Sequence, residues 1–165
     1  MNTDTKMQRT GRRISGRAQQ DHILDPYQAK QKPQEGTACP QCGSAYHQGR
    51  WQWGEKLEHP HNALCPACRR VNDDFPAGIV TLHGDWVGPH KAELIGLARN
   101  EEAAEKPEHP LNRIVKIEET DEGLVISTTD IHLPRRIAEA VKSAFNRKLD
   151  LHFDEGGYFL RADLR

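Results

Sequence analysis

The sequence predicts an α+β protein in two parts. A small cysteine-built module comes first, followed by a ββαββ unit in which a four-stranded antiparallel sheet carries one helix. A disordered basic arm precedes both. Three observations predict this. The four cysteines fall as two Cys-x-x-Cys pairs, Cys39/Cys42 and Cys65/Cys68. Between residues 111 and 165 the apolar residues alternate with period two, then recur every four, then alternate again. The composition is too polar for one core across all 165 residues, at 36% hydrophobic, 6% aromatic and 28% charged. The boundaries that follow are 1–37 for arm and linker, 38–84 for the cysteine module, 85–110 for a connecting helix and hinge, and 111–165 for the ββαββ unit.

The same composition excludes some classes. No window approaches the 18 or so consecutive apolar residues of a membrane span. Met1–Gln20 is polar and basic, without the apolar stretch of a secretory signal. A cytoplasmic, membrane-free protein is the expectation.

The net charge of -1 hides a gradient. Residues 1–38 sum to +3, residues 77–109 to -3 and residues 110–165 to -1. The early basic residues are Lys6, Arg9, Arg12, Arg13 and Arg17, set among Thr, Gln, Ser and Gly. Such a segment buries too little surface to offset its ordering entropy, so residues 1–20 read as a disordered arm. Arg9, Arg12, Arg13 and Arg17 could fold onto a phosphate backbone, or stay a solvated tail. Asp25–Thr37 reads as a linker punctuated by Pro26, Pro33 and Gly36.

Cys39-Pro40-Gln41-Cys42-Gly43 and Cys65-Pro66-Ala67-Cys68 read as two metal knuckles. A tight Cys-x-x-Cys turn aims two sulfurs at one ion, and Gly43 accepts the positive φ that such a turn requires. Four thiolates make the closed tetrahedral set that zinc prefers in structural sites. The spacing between pairs is slightly longer than the usual zinc range of roughly 15–20 residues, which implies a longer hairpin. A four-cysteine zinc ribbon is the expectation, with zinc as cofactor. The rivals are weaker. Disulfides need an oxidising compartment, a redox pair needs a βαβ context, and catalytic zinc needs an open position.

Between the pairs lie Tyr46, Trp51 and Trp53, interleaved with His47, Arg50 and Lys56. Trp51 and Trp53 would share one side of a strand. Exposed, they would be a stacking platform for unpaired bases with Arg50 beside it. Buried, they would cover the small metal core, which is the favoured reading. Arg69 and Arg70 directly follow the second pair and are placed to meet phosphate or solvent.

Gly78–His83 reads as a strand closing the ribbon. Pro89 suits the first turn of a helix, and Ala92, Leu94, Ile95, Leu97 and Ala98 give it an apolar stripe. Its acidic end, Asn100–Lys106, reads as a solvated face that stops near Pro107. Pro107 and Pro110 bracket a hinge.

In the last unit, Arg113–Thr120 and Leu124–Thr129 read as a hairpin across Asp121-Glu122-Gly123. A helix follows from about Leu133 to Lys148, with Leu133, Ile137, Val141 and Phe145 at every fourth position and Ala140 and Ala144 filling the same side. Leu149, Leu151 and Phe153, then Tyr158, Leu160, Ala162 and Leu164, alternate on a second hairpin. One helix on one face leaves the other sheet face free. Arg135 and Arg136, with Lys142, Arg147 and Lys148, make a basic helix surface that either meets phosphate or is ordinary solubilising charge. No acid/base pair, nucleophilic triad or phosphate-cradling glycine loop is visible, so no enzyme is expected.

The motifs CPQCG and CPAC, then RIVKIEETDEGLVISTTDIHLPRRIAEAVKSAF and LDLHFDEGGYFLRADL, resemble the large-ribosomal-subunit export adaptor family of eukaryotes and archaea, and more closely the small bacterial zinc-ribbon proteins grouped with it. The resemblance spans roughly Cys39–Leu164. It implies zinc on Cys39, Cys42, Cys65 and Cys68 and association with the ribosome or rRNA. Larger members carry further Cys-x-x-Cys pairs and a leucine-rich export signal. This chain has two pairs and no such signal, so an export role does not carry over. The expectation is a non-enzymatic, zinc-stabilised RNA-binding protein on the ribosome or its assembly. The alternative is a protein-interaction adaptor that uses the ribbon and the sheet face or edge.

Overall fold

The computed structural model describes residues 25–27, 31–54 and 56–165. The expected arm, with Arg9, Arg12, Arg13 and Arg17, lies outside them.

Four short strands come first: β1 (Thr37–Ala38), β2 (Ala45–His47), β3 (Arg50–Gln52) and β4 (His61–Asn62). They form a small sheet in the order β3-β2-β1-β4. Helix α1 (Pro66–Asp73) follows directly. The larger part is β5 (Gly78–His83), α2 (Val87–Glu105), β6 (Ile114–Thr120), β7 (Gly123–Thr128), α3 (His132–Phe145), β8 (Leu149–Phe153) and β9 (Leu160–Leu164).

The α+β class holds, but two parts of the expected arrangement do not. The larger sheet has five strands, ordered β6-β7-β5-β9-β8. β5, expected to close the ribbon, lies at its centre, antiparallel to β7 and parallel to β9. The reason is burial. Val80 and Leu82 are both fully buried in the same cluster as Leu124, Ile126, Ala162 and Leu164. A metal module this small has no such layer to offer them. The second correction concerns the ribbon. Its second cysteine pair opens α1, a helix not expected from the sequence between that pair and β5.

α2 and α3 cover one face of the sheet. α3 buries Leu133, Pro134, Ile137, Ala138 and Val141. Ala138 therefore completes the stripe, and Ala144, expected to do so, is exposed near the helix end. Asp130 Oδ2 accepts from the amides of His132 at 2.8 Å and Leu133 at 3.0 Å, satisfying two donors at the start of α3. Asn146 closes it in the left-handed conformation. α2 begins at Val87, two residues before Pro89, because amides in the first turn need no helical partner.

The acidic run on α2 is not merely a solvated face. Glu102 Oε1 accepts from the Ile114 amide at 2.8 Å, and Glu105 Oε2 accepts from Asn112 Nδ2 at 3.0 Å. Glu101 and Glu105 hold the two ends of the Arg136 guanidinium at 3.0 and 2.9 Å. These carboxylates fasten α2 to the start of β6 and to α3.

Candidate metal centre and nucleic-acid residues

The cysteine pairs reach one point by different local routes. At the first, the Gly43 amide donates to the Cys39 carbonyl at 2.9 Å, and the Cys39 amide to the Ser44 carbonyl at 2.8 Å. Gly43 sits at φ 81°, as its position after the turn demands. At the second, Cys65 is the N-cap of α1 and accepts from the Cys68 amide at 3.4 Å, with Pro66 at the first helical position. The amide ends of the helix favour negative charge on both sulfurs.

The four sulfurs lie within 4.8 Å of one another. Cys42 Sγ and Cys65 Sγ are 3.8 Å apart. A tetrahedron with Zn–S bonds of about 2.3 Å has edges of about 3.8 Å, so the donor set fits that ion. Cys39, Cys65 and Cys68 are buried, with Ala67 inside the cluster and Trp51, Leu64 and Leu111 packed against it. All four thiolates would be ligands, leaving no open position for chemistry. A metal here supplies cross-linking of the fold.

Arg113, immediately before β6, is the participant that sequence reasoning missed. Its Nη2 donates to Cys65 Sγ at 3.1 Å and its Nη1 to Cys68 Sγ at 3.3 Å. Its Nε donates to the Pro110 carbonyl at 2.8 Å, and its amide to Thr129 Oγ1 at 3.0 Å. No local signal marks Arg113 as a sulfur partner, because it lies more than forty residues along the chain from both cysteines.

Burial pushes the Cys65 and Cys68 thiols up, against the help of neighbouring donors and Arg113. At Cys42 burial acts the same way, but the Ser44 hydroxyl and amide together with Arg113 outweigh it and lower the thiol to about 6. Ser44 Oγ lies 3.1 Å from Cys42 Sγ. Arg113 is itself partly buried, yet the three sulfurs hold its proton more tightly than usual.

No protein family, curated protein or solved structure matches the chain. The resemblance to the export adaptor family therefore rests on its motifs alone.

The expected nucleic-acid residues are dispersed. Arg50 and Arg69 are exposed on the metal module, and Arg135 is exposed on α3. Arg70 is a correction. It is only 4% exposed, pairs with Asp25, donates to the Phe75 carbonyl at 3.1 Å and lies 4.4 Å from the Tyr27 ring centroid. Successive helical residues point about 100° apart, so Arg69 faces out while Arg70 faces in. Arg136 is held by Glu101 and Glu105 and is no longer a spare cation. Trp51 packs on the cysteine cluster and meets Tyr46 edge to face at 5.8 Å. Trp53 donates its indole N–H to the Lys106 carbonyl at 2.5 Å, which ties the module to the end of α2.

Proposed function

We propose that the chain is a zinc-stabilised RNA-binding protein, non-enzymatic, that associates with the ribosome or its assembly. The observation that carries this reading is a set of exposed cations without a carboxylate on and beside the metal module. On the larger part, Lys91, Arg99, Lys116, Arg136, Lys142 and Lys148 each have a carboxylate within 4.0 Å, while Lys106, Arg135, Arg147, Arg161 and Arg165 have none among the described residues. On the metal module, Lys32, Arg50 and Arg69 are exposed and have no acidic partner among the described residues. Cations held apart from carboxylates are available to phosphate, and phosphate supplies most of the affinity of RNA-binding proteins. The basic residues of the arm add to the same end of the chain. Zinc is the metal of the proposal because four thiolates at tetrahedral spacing suit it. Thiolates of that kind persist in the cytoplasm, where the proposal has the protein act.

The test is co-sedimentation with ribosomes and filter binding to rRNA fragments at salt from about 50 to about 200 mM, with the zinc-loaded full chain. Affinity falling steeply with salt is the expected result. A flat salt response or an empty ribosomal pellet would count against it. Deleting residues 1–20 should cripple RNA binding. Ribosome association that survives this deletion without any RNA affinity would favour the adaptor reading instead.

A further inference from the structure

Resting on the RNA reading, we infer that the groove between α1 and the β2–β3 hairpin receives an unpaired base of a single-stranded RNA, with Lys32 and Arg69 against the adjoining phosphates. The groove encloses about 590 Å³ and is lined by Tyr27, Lys32, Tyr46, Trp51, Leu64 and Arg69 among others. That volume lies in the range of sites that hold small planar ligands. Every base has a π-face that an aromatic side chain can stack on, whatever the sequence. Tyr46, itself buried, braces the half-buried Trp51 ring at an interplanar angle of 67°, so this aromatic corner presents Trp51 as the stacking face.

The lining decides between occupants. The groove combines aromatic rings with two exposed cations, and no carboxylate is among its described lining residues. Two other cavities among the described residues lack that combination. One of about 520 Å³ at the β6–β7 turn is lined by Asp85, Glu119, Asp121 and Glu122, which repel phosphate. Another, beside Trp53 and Leu57, offers no Lys or Arg. A duplex keeps its base faces stacked within the helix, so only a splayed base can enter such a groove. The hairpin is braced from outside it: Glu35 pairs with His47 and accepts from the Gln48 amide at 3.1 Å. The aromatic corner is therefore presented by a fixed turn, and Glu35 is occupied away from Lys32 and Arg69.

The experiment uses the zinc-loaded full chain and a single-stranded RNA of about 12 nucleotides carrying 4-thiouridine, within the usual site size for such strands. A fully paired RNA duplex of equal length is run beside it. Photocrosslinks are expected on peptides carrying Tyr46–Trp51 or Leu64–Arg69. Trp51→Leu should weaken the single strand about tenfold and leave the duplex unchanged. Because Trp51 also packs on the cysteine cluster, the paired substitution Lys32→Gln with Arg69→Gln is the second arm, on exposed side chains. It should flatten the log–log salt slope for the single strand by about 1.4, the value for two phosphates. Crosslinks confined to other surfaces, or an unchanged slope, would overturn the groove while leaving the RNA reading standing. If neither RNA binds, the RNA reading fails and the groove with it.

Discussion

Arg113 Nη2 lies 3.1 Å from Cys65 Sγ, so a residue just before β6 hydrogen-bonds a sulfur at the start of α1. Four thiolates and one divalent ion carry a net charge of about -2. A guanidinium shared between Cys65 and Cys68 offsets part of it and orients both sulfurs. Outer-shell partners of this kind typically change metal affinity by about 10–100-fold. Arg113→Ala should therefore weaken zinc binding within that range, read by competition with a chromophoric chelator. Arg113→Lys keeps the charge but loses the two-pronged contact, and should recover only part of the loss. Equal affinity in all three proteins would remove Arg113 from the site.

Metal removal should act unevenly. The module's strands are two or three residues long, and its buried cluster is three cysteines and Ala67. The larger sheet has its own core, which includes Leu82, Leu94, Ile126, Ile137 and Leu164. Chelation should open residues 31–64 to protease while the far-ultraviolet helical signal is largely kept. Complete loss of that signal would show that the larger sheet cannot stand without the metal.

Zinc affinity should fall on acidification, because metal replaces protons on sulfur. As long as the metal-free module keeps this geometry, the raised Cys65 and Cys68 thiols stay protonated at neutral pH and each gives up a proton on binding. Cys42, lowered to about 6, gives up none above that value and joins below it. The plot of log apparent affinity against pH should therefore steepen by one proton below about pH 6. A constant slope through that region would mean that the metal-free module loses the Ser44 and Arg113 contacts that lower Cys42.

Gly123 sits at φ 151° and faces the central strand, and a Cβ there would lie 1.8 Å from the Leu82 carbonyl oxygen. Gly123→Ala forces either β5 or β7 to move. The cost should be about 3 kcal/mol, a fall of about 6–12 °C in melting temperature. Leu82→Ala, on the same strand but in the core, should cost about 2–5 kcal/mol by leaving a cavity.

Glu102→Ala leaves the Ile114 amide without its acceptor and should cost about 1–3 kcal/mol in a denaturant melt. Glu102→Gln keeps an oxygen at that point and should restore much of it. If both variants melt alike, the amide contact carries no stability and the Arg99 pair is the relevant one.

Periodicity and metal-ligand spacing made much of this protein legible in its sequence. Leu133, Ile137 and Val141 announced α3 because only a helix brings every fourth residue to one side. Gly123 announced the β6–β7 turn. Cys39, Cys42, Cys65 and Cys68 announced one cluster of four sulfurs because each Cys-x-x-Cys turn brings its two side chains together. Each of these signals is local, or depends only on residue type and spacing. The tertiary structure decided the rest. β5 could have ended the metal module or entered the larger sheet, since its own alternation of Val80 and Leu82 is the same in both. Only the layer formed by Leu124, Ile126, Ala162 and Leu164 draws it to the centre. Arg69 and Arg70 are neighbours of one type, and the rotation of α1 alone sends one to solvent and the other to Asp25. By spacing alone the four cysteines make a self-contained metal core. In the folded chain they share their charge with Arg113, a partner brought in by the packing of the module on the larger sheet.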